Sequence, residues 1–147
     1  MKSRLDYFAL EPKLMQAQLA LNKAVEDSGI ERKLLHLVKL RASQINGCSY
    51  CVDMHSREAR EDGETERRLY LVAAWRESPL FTDRERAAFE WTEAVTLISQ
   101  GGVPDALYEA TRKVFSEHEI VQLTMAVAAI NTWNRLSVSF HTLHPMP

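Results

Sequence analysis

The stretch Gly47-Cys48-Ser49-Tyr50-Cys51-Val52-Asp53-Met54-His55 holds both cysteines of the chain, three residues apart, with a histidine four residues after the second. On a helix, about 100° of rotation per residue puts Cys51 at about 300° and His55 at about 340° when Cys48 is the origin. All three then lie within roughly 60° of one face. Two thiols and a base so placed can trade a dithiol for a disulfide. Cys48 falls where a helix starts after Asn46-Gly47, and the unpaired N–H groups and dipole of a helix start favour a thiolate there. His55, one turn beyond Cys51, is the natural base or ion-pair partner for Cys51. In that arrangement Cys51 attacks a peroxide oxygen and becomes a sulfenic acid, Cys48 resolves it to a disulfide, and an external dithiol restores the pair. The opposite order is also open, because Cys48 is expected nearer solvent.

Other polar residues compete for a place at this site. A hairpin about Asn46-Gly47 pairs position 36 with about position 57, which brings His36 close to His55; the alternative is that His36 packs among Leu34, Leu35, Leu37 and Val38 as a core histidine. Glu90 and Glu93 flank an apolar stripe and are candidate relay carboxylates, or else a solvated helix face. Cys48, Cys51 and His55 also supply three ligands for zinc, with His36 as a fourth, although structural zinc takes four and no second Cys-x-x-Cys or His pair is present. Trp75, Trp91 and Trp133 read as core or interface anchors. His118, His141 and His144 receive no role. Asn131-Thr132-Trp133-Asn134-Arg135 interrupts an apolar helix, and its polar groups must be paired if buried, a subunit interface being one place for that.

The elements that must position these residues are all helical. The chain has 147 residues, enough for one domain spanning 1–147, with 46% hydrophobic and 26% charged residues and a net charge of −2. That balance points to no nucleic-acid and no membrane partner. The longest apolar runs are short, such as Met125 to Ile130, where a membrane span needs roughly 20 residues. The N-terminus lacks the apolar core of a signal peptide, so the cytoplasm is the expected compartment. There a close cysteine pair is more often catalytic or metal-binding than structural.

Six to seven helices are expected. The first runs from Pro12 to Asp27 with Gly29 as its stop, and the second from Glu31 to Ile45, ended by Asn46-Gly47. The third starts at or near Cys48 and ends near Gly63, and the fourth covers Glu64 to Arg76. Thr82-Asp83-Arg84-Glu85 is a capping box that opens the fifth, which continues to Ser99. A shorter sixth starts at Pro104. A second capping box, Ser116 to Glu119, opens the seventh, which runs to Phe140. The tail from His144 to Pro147 is expected to be loose. The fifth helix carries a core-facing stripe of Ala87, Ala88, Trp91, Ala94, Val95 and Ile98. The seventh is apolar on most sides and is expected at the domain centre or in a subunit interface. The fold class is therefore an all-α, single-domain helical bundle, with more apolar surface than one subunit hides.

Ser43-Gln44-Ile45-Asn46-Gly47-Cys48-Ser49-Tyr50-Cys51 with His55, the preceding helix Leu34 to Arg41, and the helical layout together resemble the alkylhydroperoxidase D (AhpD-like) branch of the carboxymuconolactone decarboxylase family. The resemblance covers residues 30 to 100 well and the rest loosely. It implies a hydroperoxidase in which Cys51 passes through the sulfenic acid, Cys48 resolves it and exchanges with a partner, and His55 belongs to a proton relay. It implies a homo-oligomer, trimer or hexamer, with a small hydroperoxide as substrate, a dithiol or protein as reductant, and no cofactor or metal. Two positions depart from the family pattern. His36 stands where a relay glutamate is common, and Tyr50 where a histidine separates the cysteines. His36 can carry a proton but cannot supply negative charge to orient His55; Glu90 or Glu93 would then replace it, or the relay is weaker. Three other readings remain open: a redox module serving a partner protein with little peroxidase activity, a zinc-binding helical protein, and a lactone decarboxylase or related isomerase that does not need the cysteines.

Overall fold

A computed structural model describes residues 1–146; Pro147, the end of the tail expected to be loose, lies outside the described residues. Among the described residues eight α-helices follow one another: α1 (Tyr7–Leu10), α2 (Pro12–Glu26), α3 (Arg32–Ile45), α4 (Ser49–Glu61), α5 (Glu66–Leu71), α6 (Asp83–Thr96), α7 (Asp105–Arg112) and α8 (Glu117–Phe140). Short 3-10 turns, Val72–Glu77 and Ile98–Gln100, extend α5 and α6. No strand occurs among the described residues, so the expected all-α class is observed. None of their helices is long and apolar enough to cross a membrane.

Helix α3 is the hub, packing against α4, α6 and α8. Its sequence explains this, because apolar residues occur on more than one face. Leu34, Leu35 and Val38 enter a core with Val25, Trp91, Phe115, Leu123 and Val127. Leu37 and Leu40 turn to a second core with Ala59, Leu69, Val72, Trp75, Phe81 and Phe89. Fully burying a leucine of this kind stabilises by about 1.5–3 kcal/mol, so α3 joins the two cores and fixes where its C-terminus, and hence the cysteine turn, must lie.

Both expected capping boxes form. The Thr82 hydroxyl accepts from Glu85 N–H while the Glu85 carboxylate accepts from Thr82 N–H, and Ser116 and Glu119 repeat the pattern at α8. Each sets one helix start by satisfying donors that the helix itself leaves free.

The boundaries depart from expectation in four places. The helix expected over Glu64 to Arg76 is split, because Ala74 leaves helical geometry (φ −118°, ψ 29°). Trp75 then packs on Phe89, and Arg86 donates to the carbonyls of Trp75, Arg76 and Ser78. Ile98 is 59% exposed, so the core stripe of α6 stops short of it, and Phe89, Thr92 and Thr96 are buried in addition. Helix α8 buries Ile120, Leu123, Val127 and Ile130 and packs against α2, α3, α4, α6 and α7, but leaves Val121 and Met125 exposed along one side. The N-terminal arm, given no structure from sequence, forms α1. It is pinned by Arg4 N–H to Phe140 O (2.9 Å) and by stacking of Phe8 on Trp133 at 5.8 Å.

Candidate functional site

The turn between α3 and α4 is a hydrogen-bonded helix stop. Gly47 N–H donates to Gln44 O (3.2 Å) and Cys48 N–H to Ser43 O (3.0 Å). Gly47 has φ 66°, a left-handed conformation that glycine adopts without steric cost. The turn is then fastened to α8. Asn46 Nδ2 donates to Asn131 Oδ1 (3.0 Å) and Asn134 Oδ1 (2.9 Å), and Asn134 Nδ2 donates to Ser43 Oγ (3.0 Å). Asn131 also donates to Thr96 Oγ1, and Trp133 Nε1–H to Asn22 Oδ1. The polar interruption of α8 is thus satisfied within the subunit, and these bonds hold Cys48 in place.

Cys48 is the N-cap of α4, and its sulfur accepts from Cys51 N–H at 3.3 Å. Cys48 and Cys51 are joined as a disulfide, with Cα atoms 5.3 Å apart. Contrary to the expectation that Cys48 lies nearer solvent, both are buried, at 2% and 1% exposure. The N-terminal arm and the end of α8 cover them, contacts that come from distant parts of the chain. Tyr7 hydroxyl lies 3.1 Å from Thr142 Oγ1 and 3.5 Å from Ser137 Oγ as part of that cover.

His55 is buried and donates Nδ1–H to Glu58 Oε2 at 3.0 Å. Its Nε2 is buried with no hydrogen-bond partner among the described residues. Burial pushes the His55 imidazole below its ordinary value of about 6.5, and the Glu58 carboxylate opposes this only in part. The hydrogen bond from His55 holds Glu58 below the usual carboxylate range. With Nδ1 carrying the proton, Nε2 presents a lone pair.

His36 is buried on α3 and donates Nε2–H to Asp62 Oδ2 (2.6 Å), to which Arg32 also donates. That hydrogen bond lowers the Asp62 carboxyl. His36 Nδ1, like His55 Nε2, is buried without a partner among the described residues. A charge on His36 disfavours one on His55.

Cys51, His55 and Glu58 line one cavity of about 310 Å³, walled by Tyr7, Phe8, Tyr50, Met54 and Trp133. Cys48 lines a different one of about 220 Å³. A larger surface hollow of about 590 Å³ beside Arg57, Arg60 and Tyr70 contains neither cysteine nor histidine.

The structure does not bring Glu90 and Glu93 to the cysteines. Glu93 accepts from Arg41 Nε (3.0 Å), Trp75 Nε1 (2.8 Å) and Arg76 Nη1 (2.8 Å), and Glu90 is half exposed with Arg76 at 3.6 Å. Those cations belong to α3 and the 3-10 turn after α5, and they turn this face of α6 away from the disulfide. The carboxylate that reaches His55 is Glu58, which the i, i+3 spacing on α4 could have signalled. Asp62 was within reach of the same hairpin argument that placed His36. Tyr7, Phe8 and Trp133 carry no local signal, since only tertiary packing brings them over Cys51. Among the described residues no group of three or more His, Cys, Asp or Glu is arranged to hold a metal ion.

Comparison with known proteins places this arrangement among relatives. The carboxymuconolactone decarboxylase family matches residues 12–94. The uncharacterized protein YdfG of Bacillus subtilis (strain 168) is 40% identical over 139 residues, 95% of each chain. A solved structure of ATU0492 from Agrobacterium tumefaciens, a protein of unknown function proposed as antioxidant defence protein AhpD, is 48% identical. It superposes with a TM-score of 0.97, covering 99% of this chain and 100% of that one. An uncharacterized peroxidase-related protein from Ralstonia eutropha JMP134, described as an alkylhydroperoxidase AhpD core, has a TM-score of 0.83 at 22% identity. The match covers 94% of this chain and 74% of that one, and shares the fold.

Proposed function

The chain belongs to the carboxymuconolactone decarboxylase family, and from that premise we propose that it is a thiol-dependent hydroperoxide reductase of the AhpD type, cycling Cys48 and Cys51 between dithiol and disulfide. The observation that carries this reading is the shared cavity. Cys51 and a neutral His55 line one aromatic-walled hollow, and Cys48 is bonded to Cys51 from outside it.

In the reduced protein His55 takes the Cys51 proton. The Cys51 thiolate attacks the terminal oxygen of R–O–OH, the O–O bond breaks, and the departing alkoxide leaves as alcohol with the proton held by His55. The Cys48 thiolate then attacks the sulfur of Cys51–SOH. The S–O bond breaks, hydroxide leaves as water on protonation, and the disulfide closes. Two electrons have passed from the thiol pair to the peroxide.

Glu58 orients His55, the role that sequence offered to Glu90 or Glu93. His36, anchored on Asp62 and with a buried Nδ1 that has no partner among the described residues, is the further relay member in this reading. The exposed apolar residues Val121 and Met125 on α8 favour association with a second copy; a trimer or hexamer in the cytoplasm, with an external dithiol or protein as reductant, is what the family reading adds.

Cys51→Ser tests the assignment. It should abolish peroxide consumption under dithiol recycling; full activity in that variant would overturn it.

A further inference from the structure

The two cysteines of the disulfide line different cavities. Cys51 faces the cavity of about 310 Å³ and Cys48 the cavity of about 220 Å³. Tyr50 and Ser137 line both. The second cavity also holds a group that the peroxide chemistry does not use. His141 lines it beside Cys48, Ser49, Val138 and Thr142.

His141 is the C-cap of α8 with φ 53° and ψ 54°, the one non-glycine residue with positive φ among the described residues. The segment around it is held firmly. Its N–H and that of Thr142 both donate to Ser137 O, and Arg4 Nη1 donates to Ser139 O. Its imidazole makes no side-chain hydrogen bond to the described residues, and asparagine would satisfy the left-handed backbone equally well. No hydrogen bond to the described residues therefore occupies the ring of this cavity-lining residue. Besides Cys48, the other residues lining the cavity that carry an ionisable group are Tyr50 and Met1, through its amine.

We infer that this second cavity admits a low-molecular-weight thiol as reductant, and that His141 is its acid–base catalyst. The inference rests on the redox reading of the cysteine pair given above. At 2% exposure, Cys48 is out of reach of a cysteine on the flat surface of a folded partner. A thiol on a slim stem reaches it through a cavity smaller than those that hold drug-sized ligands.

The exchange balances as follows in atoms and electrons. His141 takes the proton of R–SH, and the thiolate attacks Cys48 Sγ. The bond between the two protein sulfurs breaks, and its electron pair leaves on Cys51 Sγ, in reach of His55. Cys48 now carries a mixed disulfide. A second thiol loses its proton, which neutralises Cys51, and attacks the small-molecule sulfur of that mixed disulfide. The electron pair returns to Cys48 Sγ, which takes the proton back from His141. Two small thiols become a disulfide, and the protein disulfide becomes two thiols.

The two half-reactions separate this inference from the reading beneath it. Oxidised protein is mixed with dithiothreitol and the release of thiols is followed, at about pH 6.5 and about pH 9.5. Reduced protein is mixed separately with hydrogen peroxide. His141→Asn should slow reduction at least about tenfold at the lower pH, as removal of an acid–base group does, with the gap closing at the higher pH where the reductant ionises unaided. Its peroxide step should stay at the wild-type rate. Val138→Trp, which fills the cavity, should slow reduction at both pH values. Reduction of His141→Asn at the wild-type rate, a slowing that is the same at both pH values, or an equal slowing of both half-reactions would overturn the inference. If wild-type protein ignores peroxide yet keeps the His141 dependence, the hydroperoxidase reading fails and this one stands.

Discussion

Glu58 stands one turn beyond His55 on α4 and accepts its Nδ1–H at 3.0 Å. The pairing fixes the tautomer of a buried imidazole and leaves Nε2 as the nitrogen with a lone pair. Glu58→Gln keeps an acceptor at that place but removes the charge. The rate constant for the reaction of reduced protein with peroxide should fall by about ten- to a hundredfold, the usual effect of losing an orienting carboxylate. A rate within twofold of wild type would show that the pairing is idle.

The same histidine sets a direction for stability against pH. Burial holds the folded imidazole below about 6.5, so the unfolded chain binds a proton there that the folded chain does not. The contribution is complete above about pH 6.5 and is lost as pH falls from there toward the folded value. Glu58 is lowered by its hydrogen bond to His55, so its share is present above its ordinary carboxylate value and fades as pH falls through the folded one. The urea midpoint should therefore be lower at pH 5.5 than at pH 7.5, and His55→Gln should flatten the difference. A midpoint that rises on acidification would contradict this.

Asn46 holds the cysteine turn to α8 through Asn131 and Asn134. Asn46→Ala leaves the buried Asn134 Oδ1 without its donor, while Asn131 Oδ1 keeps Arg135 Nη1, and should cost about 1–3 kcal/mol. Denaturant unfolding measures it, and a loss under about 0.5 kcal/mol would mean that water replaces the amide without cost.

Phe8 stacks on Trp133 at 5.8 Å over the cavity that Cys51 lines, while remaining 46% exposed itself. Phe8→Ala should cost little stability, about 1 kcal/mol, yet speed alkylation of the reduced thiols by iodoacetamide several-fold. An unchanged alkylation rate would show that the arm does not limit access.

The parts of the site that lie close in sequence were legible from it. Cys48, Cys51 and His55 share one helix and obey its period, and the hairpin about Asn46-Gly47 followed from the glycine stop. The capping boxes at Thr82 and Ser116 were equally local. Harder to read were contacts made at long range. Trp133 and Tyr7 lie more than forty residues from the cysteines, and only packing of α1 and α8 over α4 brings them to the cavity. Glu93 looked available because nothing local reveals that Arg41, Arg76 and Trp75 converge on it. The split of the helix before Ser78 was hidden for the same reason. Ala74 has good helical propensity, and what unwinds the chain there is the docking of Trp75 and Arg86.

The central claim is that Cys48 and Cys51 form a working dithiol. Intact mass and free-thiol count of reduced protein, before and after one equivalent of hydrogen peroxide over seconds to minutes, test it most directly. The account predicts rapid loss of both thiols and of about 2 Da, reversed by a dithiol. Slow or absent loss, or stepwise gain of oxygen without disulfide closure, would contradict it.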